Sequence, residues 1–176
     1  MSKIRIKGDT SGFVDLETST TGSNLSVTGN SVHIPGHVMQ VKRASVGGNI
    51  STSSSTPVAS GVQCSITPKY STSLIKIELI GGRSYISANQ QLDVSLYKDG
   101  SNINTTGAGR WESIYSNGTD AHYGGFSACW FETAGSTAAR TYELYFDVGT
   151  GTGYLNNSPG GGNEYLIHLV ATEIAQ

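Results

Sequence analysis

Short apolar runs separated by polar, turn-forming stretches organise this chain, and inside most runs the apolar residues recur every second position. Val62, Cys64 and Ile66 alternate with polar neighbours, as do Leu92, Val94 and Leu96; that is the period of a strand with one face on a core. In residues 141–148, Tyr142, Leu144 and Phe146 oppose Glu143, Tyr145 and Asp147, predicting one buried and one wetter face. Leu74, Ile75, Ile77, Leu79 and Ile80 form a denser run, which predicts a central strand covered on both faces. Further strands are expected at residues 110–115, 122–131 and 165–174. In residues 37–46, Val38 and Gln40 share one face and Met39 and Val41 the other, so parity alone leaves the buried face open.

The punctuation is as informative as the runs. Residues 47–57, 101–109 and 149–163 are rich in Gly, Ser, Thr and Asn and read as loops. Asp99-Gly100, straight after an alternating strand, predicts a type I′ hairpin, because that turn needs positive φ at both central residues. Only residues 133–140 (TAGSTAAR) are compatible with a helix, and their brevity and Gly135 favour a loop. Roughly eight or nine turn-separated strands without helices predict an all-β fold, a jelly roll or related antiparallel β-sandwich.

Composition narrows the function. The 176 residues suffice for one core plus a short appendage. Hydrophobic residues make up 36% and charged residues 14%, with 23 glycines, a balance that disfavours helix. With a net charge of −2 and no run of Lys or Arg, phosphate neutralisation and hence nucleic-acid binding is not expected. No stretch approaches the roughly 20 apolar residues that span a bilayer, so no membrane insertion is expected. The opening MSKIRIKGD lacks a signal peptide's apolar stretch, which predicts a chain made in the cytoplasm. Cys64 and Cys129 are too few for a disulfide framework or zinc site; both are expected as reduced thiols on core-facing strand positions.

Catalytic chemistry finds little purchase. His33 and His37 are four apart, but Pro35-Gly36 intervenes, so helical metal-ligand spacing does not apply; no metal and no cofactor is expected. Glu112, Asp120, Glu132 and Glu143 are candidate carboxylates for sugar hydrolysis, which needs two of them roughly 5 to 9.5 Å apart, and nothing in the sequence brings two together. The glycine runs at 149–153 and 160–162 lack the Lys-Ser/Thr and helix of a phosphate loop. No catalytic residue is assigned and the chain is read as a non-enzyme. Among the aromatics, Trp111, Tyr115 and Tyr154 border loops and are the candidate glycan contacts; the rest are expected to pack.

Residues 1–36 differ from the body. Ile4 and Ile6, Phe13 and Leu16, Leu25 and Val27, Val32 and Ile34 form apolar pairs between polar turns, a ribbon too thin to bury its own face. The segment is therefore expected to attach to a partner surface or to trimerise, joined through Pro35-Gly36 to a β-sandwich over residues 37–176.

The opening Ser2-Lys3-Ile4-Arg5-Ile6-Lys7-Gly8-Asp9-Thr10-Ser11-Gly12-Phe13-Val14-Asp15-Leu16 resembles the start of small virion structural proteins of tailed bacteriophages, particularly those of cyanobacteria. The resemblance continues through Val38-Met39-Gln40-Val41, the segment 66–77 (ITPKYSTSLIKI), the Leu96-Tyr97-Lys98-Asp99-Gly100 turn and the closing Glu173-Ile174. It implies a fibre, tail-accessory or head-decoration protein located in the virion, often with a trimeric jelly-roll head. Its implied partners are two further copies of the chain, other capsid or tail proteins, and in the receptor-binding variant a host surface glycan. The long shaft repeat of the better-known tail fibres is missing, which favours a short knob, a tail accessory or a capsid-surface protein.

Overall fold

The computed structural model describes residues 3–7, 13–17, 35–104, 109–156 and 165–176. Every regular element among them is a strand, and the chain divides into two units, Met1–His33 and Ile34–Gln176. In the first, β1 (Lys3–Lys7) runs antiparallel to β2 (Phe13–Glu17), with Ile4 opposite Leu16 and Ile6 opposite Val14. Between these rows lie Lys3–Glu17, Arg5–Asp15 and Lys7–Phe13, so the spacing of three sets Phe13 and Leu16 on alternate rows. Leu25, Val27, Val32 and Ile34, the other expected attachment residues, lie outside the described residues.

The second unit holds β3 (Val38–Gly47), β4 (Ile50–Thr52), β5 (Val58–Ile66), β6 (Leu74–Ile86), β7 (Gln91–Lys98), β8 (Ser101–Asn102), β9 (Glu112–Tyr115), β10 (His122–Thr133), β11 (Arg140–Val148), β12 (Gly153–Leu155) and β13 (Leu166–Ile174). Apart from the short β4, β8 and β12, eight strands remain, in two antiparallel sheets ordered β3-β13-β6-β10 and β5-β11-β7-β9. Counted along the chain, the first strand pairs with the last, the last with the third and the third with the sixth. In the other sheet the second pairs with the seventh, the seventh with the fourth and the fourth with the fifth. That interleaving is the jelly roll, the first of the architectures the alternation predicts.

Period-two residues build the core between the sheets. Val62, Cys64 and Ile66 of β5, Ile75, Ile77 and Leu79 of β6, Leu92, Val94 and Leu96 of β7, Tyr142, Leu144 and Phe146 of β11, and Ile167, Leu169 and Ala171 of β13 are all buried. Two expectations change. β6 is central in its sheet but covered on one face only: Leu74 is half-buried and Ile80 exposed. Cys129 is exposed while Cys64 is buried, because on β10 Phe126, Ala128 and Trp130 take the inward positions. Both parities of that strand carry apolar residues, so alternation alone could not assign the thiol.

The loops carry short strands of their own. Asp99 and Gly100 have φ of 51° and 80° and turn β7 into β8, as the dipeptide predicts. Gly81 and Gly82, at φ of 76° and 78°, bend β6 where β13 pairing ends at Ile167↔Gly81. Beyond the bend β12 takes the place beside β6, with Tyr154 opposite Tyr85, and β4 pairs outside it. Gly36 N–H donates to Ala175 O at 2.7 Å and Ala175 N–H to His37 O at 2.9 Å, tying the expected hinge residues to the end of β13.

One inward position on β13 is a carboxylate. Glu173 is fully buried and accepts hydrogen bonds from Gln40 Nε2 (2.6 Å), Lys69 N–H (2.7 Å) and Tyr70 N–H (3.2 Å). Burial alone raises its pKa, but the donors of Gln40, Tyr70 and Lys69, with the Ser73 hydroxyl close by, outweigh that and hold it below the ordinary carboxylate value. It pins the crossover between β5 and β6, which carries the chain from one sheet to the other.

Candidate functional site

The outward face of the β3-β13-β6-β10 sheet is the least expected surface. Register places Val41, Thr172, Lys76 and Phe131 in one row across the four strands, Arg43, Val170, Glu78 and Cys129 in the next, and Ser45, His168, Ile80 and Ser127 in a third. Ile174, Leu74 and Thr133 line up on the other side of the first row. Val41 is 56% exposed, Phe131 52%, Leu166 50% and Ile80 46%, so large apolar groups stand in solvent on both flanks. Polar residues stand between them, several satisfied by one another: Lys76 Nζ is paired with Glu78 at 2.7 Å, and His168 Nδ1 lies 2.7 Å from Ser45 Oγ.

Trp111, Tyr115 and Tyr154 are not gathered into one site. Trp111 packs against the core, and its Nε1–H donates to Cys129 O in the opposite sheet at 3.3 Å. Tyr115 ends β9 and is 62% exposed, on the other sheet from Tyr154. Tyr154, however, has company that the sequence did not reveal. Past the bend in β6, Tyr85 lies between Tyr123 and Tyr154, with ring centroids 4.9 Å and 5.6 Å away. The Arg83 guanidinium lies 4.2 Å from the Tyr123 centroid and 5.7 Å from that of Tyr165, and its Nη1 donates to Tyr165 Oη at 3.3 Å. The signal was the period-two pair Arg83 and Tyr85, but only sheet pairing brings the other tyrosines alongside.

The ionisable groups elsewhere hold the fold. Glu132 accepts from Tyr142 Oη (2.5 Å) and Lys98 Nζ (2.8 Å) and pairs with Arg140 Nη1 at 3.5 Å. Arg140, itself buried, donates from Nη2 to Ser136 O at 2.9 Å. Burial first, then the hydrogen bond to and charge of Glu132, push the Tyr142 hydroxyl well above its ordinary pKa. A cavity of about 210 Å³ beside Lys98, Asp99 and Arg140 opens on this network. Of the other candidate carboxylates, Glu143 Oε1 accepts from Gly61 N–H and Glu112 Oε1 from Ser113 N–H, while Asp120 lends its backbone carbonyl to Ser116 Oγ.

The carboxylates that the fold sets directly opposite each other are Asp93 and Asp147. Asp93 is buried and bonded to Arg110 Nε (2.7 Å), Ser113 Oγ (2.6 Å) and Gln91 Nε2 (2.9 Å). Asp147 has its pKa raised, by burial first and by the Asp93 charge second, with Arg110 offsetting part. Asp93 is occupied by its own partners. Of the histidines, His122 is exposed, and His33 lies outside the described residues. Among the described residues no three His, Cys, Asp or Glu side chains converge as metal ligands. No protein-family model matches this chain, and no curated protein matches it.

Proposed function

We propose that this chain is a structural component of a tailed-phage particle, a trimeric knob or capsid-decoration protein anchored by its N-terminal segment. The observation that carries the assembly reading is the exposure of Val41, Ile80, Phe131 and Leu166 on the outward face of the β3-β13-β6-β10 sheet, since large apolar groups gathered on one surface mark a contact site. The face has two flanks: Val41 on β3 and Phe131 on β10 close the same row, roughly 14 Å apart at the usual strand spacing. Around a three-fold axis each subunit meets two neighbours through different patches, which two flanks satisfy. Particle context rests on the sequence resemblance. The non-enzymatic reading is supported by the structural bonds that occupy Glu132, Asp93 and Glu173.

Light scattering on the purified protein tests the assembly. Three chains of 18.5 kDa should scatter as one species, and Phe131→Glu and Ile80→Glu should each return monomer. Cys129, beside Phe131 on the same face, should resist iodoacetamide in the assembly and react once Phe131→Glu dissociates it. A wild-type monomer at micromolar concentration would overturn the proposal, as would a dimer. Attachment is tested separately, by supplying residues 37–176 in trans during infection and immunoblotting purified virions. A truncated chain that incorporates as well as the full one would place attachment in the jelly roll.

A further inference from the structure

Beyond the bend in β6, the outward face of the first sheet gathers aromatic rings around one cation. Three tyrosines from three adjacent strands, Tyr123 on β10, Tyr85 on β6 and Tyr154 on β12, stand in one row. Arg83, two residues before Tyr85 and on the same face, is held against Tyr123 and Tyr165 by cation–π contact and one hydrogen bond. Among the described residues no carboxylate pairs with Arg83, and Tyr165 takes one of its five donors. Across the strand, the β10 irregularity between Gly124 and Phe126 leaves Gly125 exposed, and a Cβ there would meet nothing within 4 Å.

The chemistry of that arrangement is specific. Tyrosine rings offer apolar faces on which the C–H face of a pyranose stacks, while their hydroxyls donate to and accept from sugar hydroxyls. A planar guanidinium that is oriented in advance by aromatic neighbours recognises a carboxylate through two parallel hydrogen bonds. A neutral sugar uses only the rings, and a simple anion only the arginine. A sugar carrying a carboxylate uses both.

We propose that Tyr123, Tyr85, Tyr154 and Arg83 form a binding site for the uronic-acid rings of an acidic surface polysaccharide. This inference does not rest on the trimer or on the particle assignment, and its failure would leave both standing. The full-length protein is titrated calorimetrically with tetragalacturonic acid, with its fully methyl-esterified form and with inorganic phosphate. The acid should bind about tenfold or more tighter than the ester, a difference of about 1.4 kcal/mol, and phosphate should not saturate.

Arg83→Gln should abolish the preference for acid over ester, and Tyr123→Ala should weaken both. Gly125→Glu adds a carboxylate at the exposed β10 irregularity, across the strand from Arg83, and should remove acid binding with the far-ultraviolet circular dichroism unchanged. No binding of the acid by the wild-type protein overturns the proposal. So do equal affinities for acid and ester, saturation by phosphate alone, or an Arg83→Gln protein that keeps the preference.

Discussion

Replacing Glu173 by Gln changes one atom of a fully buried side chain, yet it should be among the most destabilising conservative substitutions in this protein. The carboxylate receives three hydrogen bonds, from Gln40 Nε2, Lys69 N–H and Tyr70 N–H, and every partner is a donor. A Gln can turn its oxygen toward some of them, but its amide then presents two hydrogens to the rest. Hydrogen bonds to a charged group contribute about 1 kcal/mol more each than neutral ones, and a stranded buried donor costs about 1–3 kcal/mol. The expected loss is about 3 kcal/mol. With a urea slope of about 2 kcal/mol/M, the unfolding midpoint should fall by about 1.5 M, measured at one chain concentration because assembly also contributes to stability.

The pH dependence supplies the sign. Glu173 has a folded pKa below its ordinary value of 4.5, so the unfolded chain takes up the proton first as pH falls. The stability it confers is complete above about 4.5 and is lost as pH drops through the lower folded value. Wild type and Glu173→Gln should therefore differ fully at pH 7 and converge in acid, where both side chains are neutral. A difference under about 0.5 kcal/mol at neutral pH, the range of an ordinary surface substitution, would refute the reasoning. A gap that stays constant down to acid would refute its electrostatic part.

Other perturbations probe other parts of the molecule. Glu132→Ala leaves the buried Arg140 cation without its carboxylate and should cost about 3–5 kcal/mol, read as a fall in the urea midpoint. Gly153→Ala should cost about 1–3 kcal/mol by overpacking, because a Cβ there would stand 2.2 Å from Val148 Cγ1 and 2.8 Å from Leu92 Cδ1; an unchanged melting temperature would contradict that contact. Asp147→Asn should raise stability at pH 7 and not at pH 3. Its folded pKa is raised, so the ionised form is the disfavoured one and stability falls as pH rises from the ordinary value through the folded value. In dissociated Phe131→Glu protein, Cys129 should be alkylated and Cys64 spared in an intact-mass assay. Cys129 should react more slowly than free cysteine at pH 8, since partial desolvation of the thiol first, and the nearby Glu78 charge, push its pKa up, with Lys76 offsetting part.

Local rules were sufficient where a residue's own neighbours decide its state. The alternation at Val62-Cys64-Ile66, Leu92-Val94-Leu96 and Tyr142-Leu144-Phe146 assigned the buried face of three strands, because pleating sends successive side chains to opposite sides wherever the strand lies. Asp99-Gly100 likewise specified its turn, since the φ values it needs are intrinsic to those two residues. Tertiary pairing decided the rest. On β10 both parities are apolar, and only the packing of Phe126, Ala128 and Trp130 against the core turned Cys129 outward. Ile80 sits in a dense apolar run that reads as buried on both faces, yet the jelly-roll order leaves the outer face of β6 uncovered. Tyr85, Tyr123 and Tyr154 are separated by dozens of residues along the chain. They share a surface because two glycines bend β6 away from β13 and admit β12 beside it, and no pattern confined to one segment encodes that neighbour exchange.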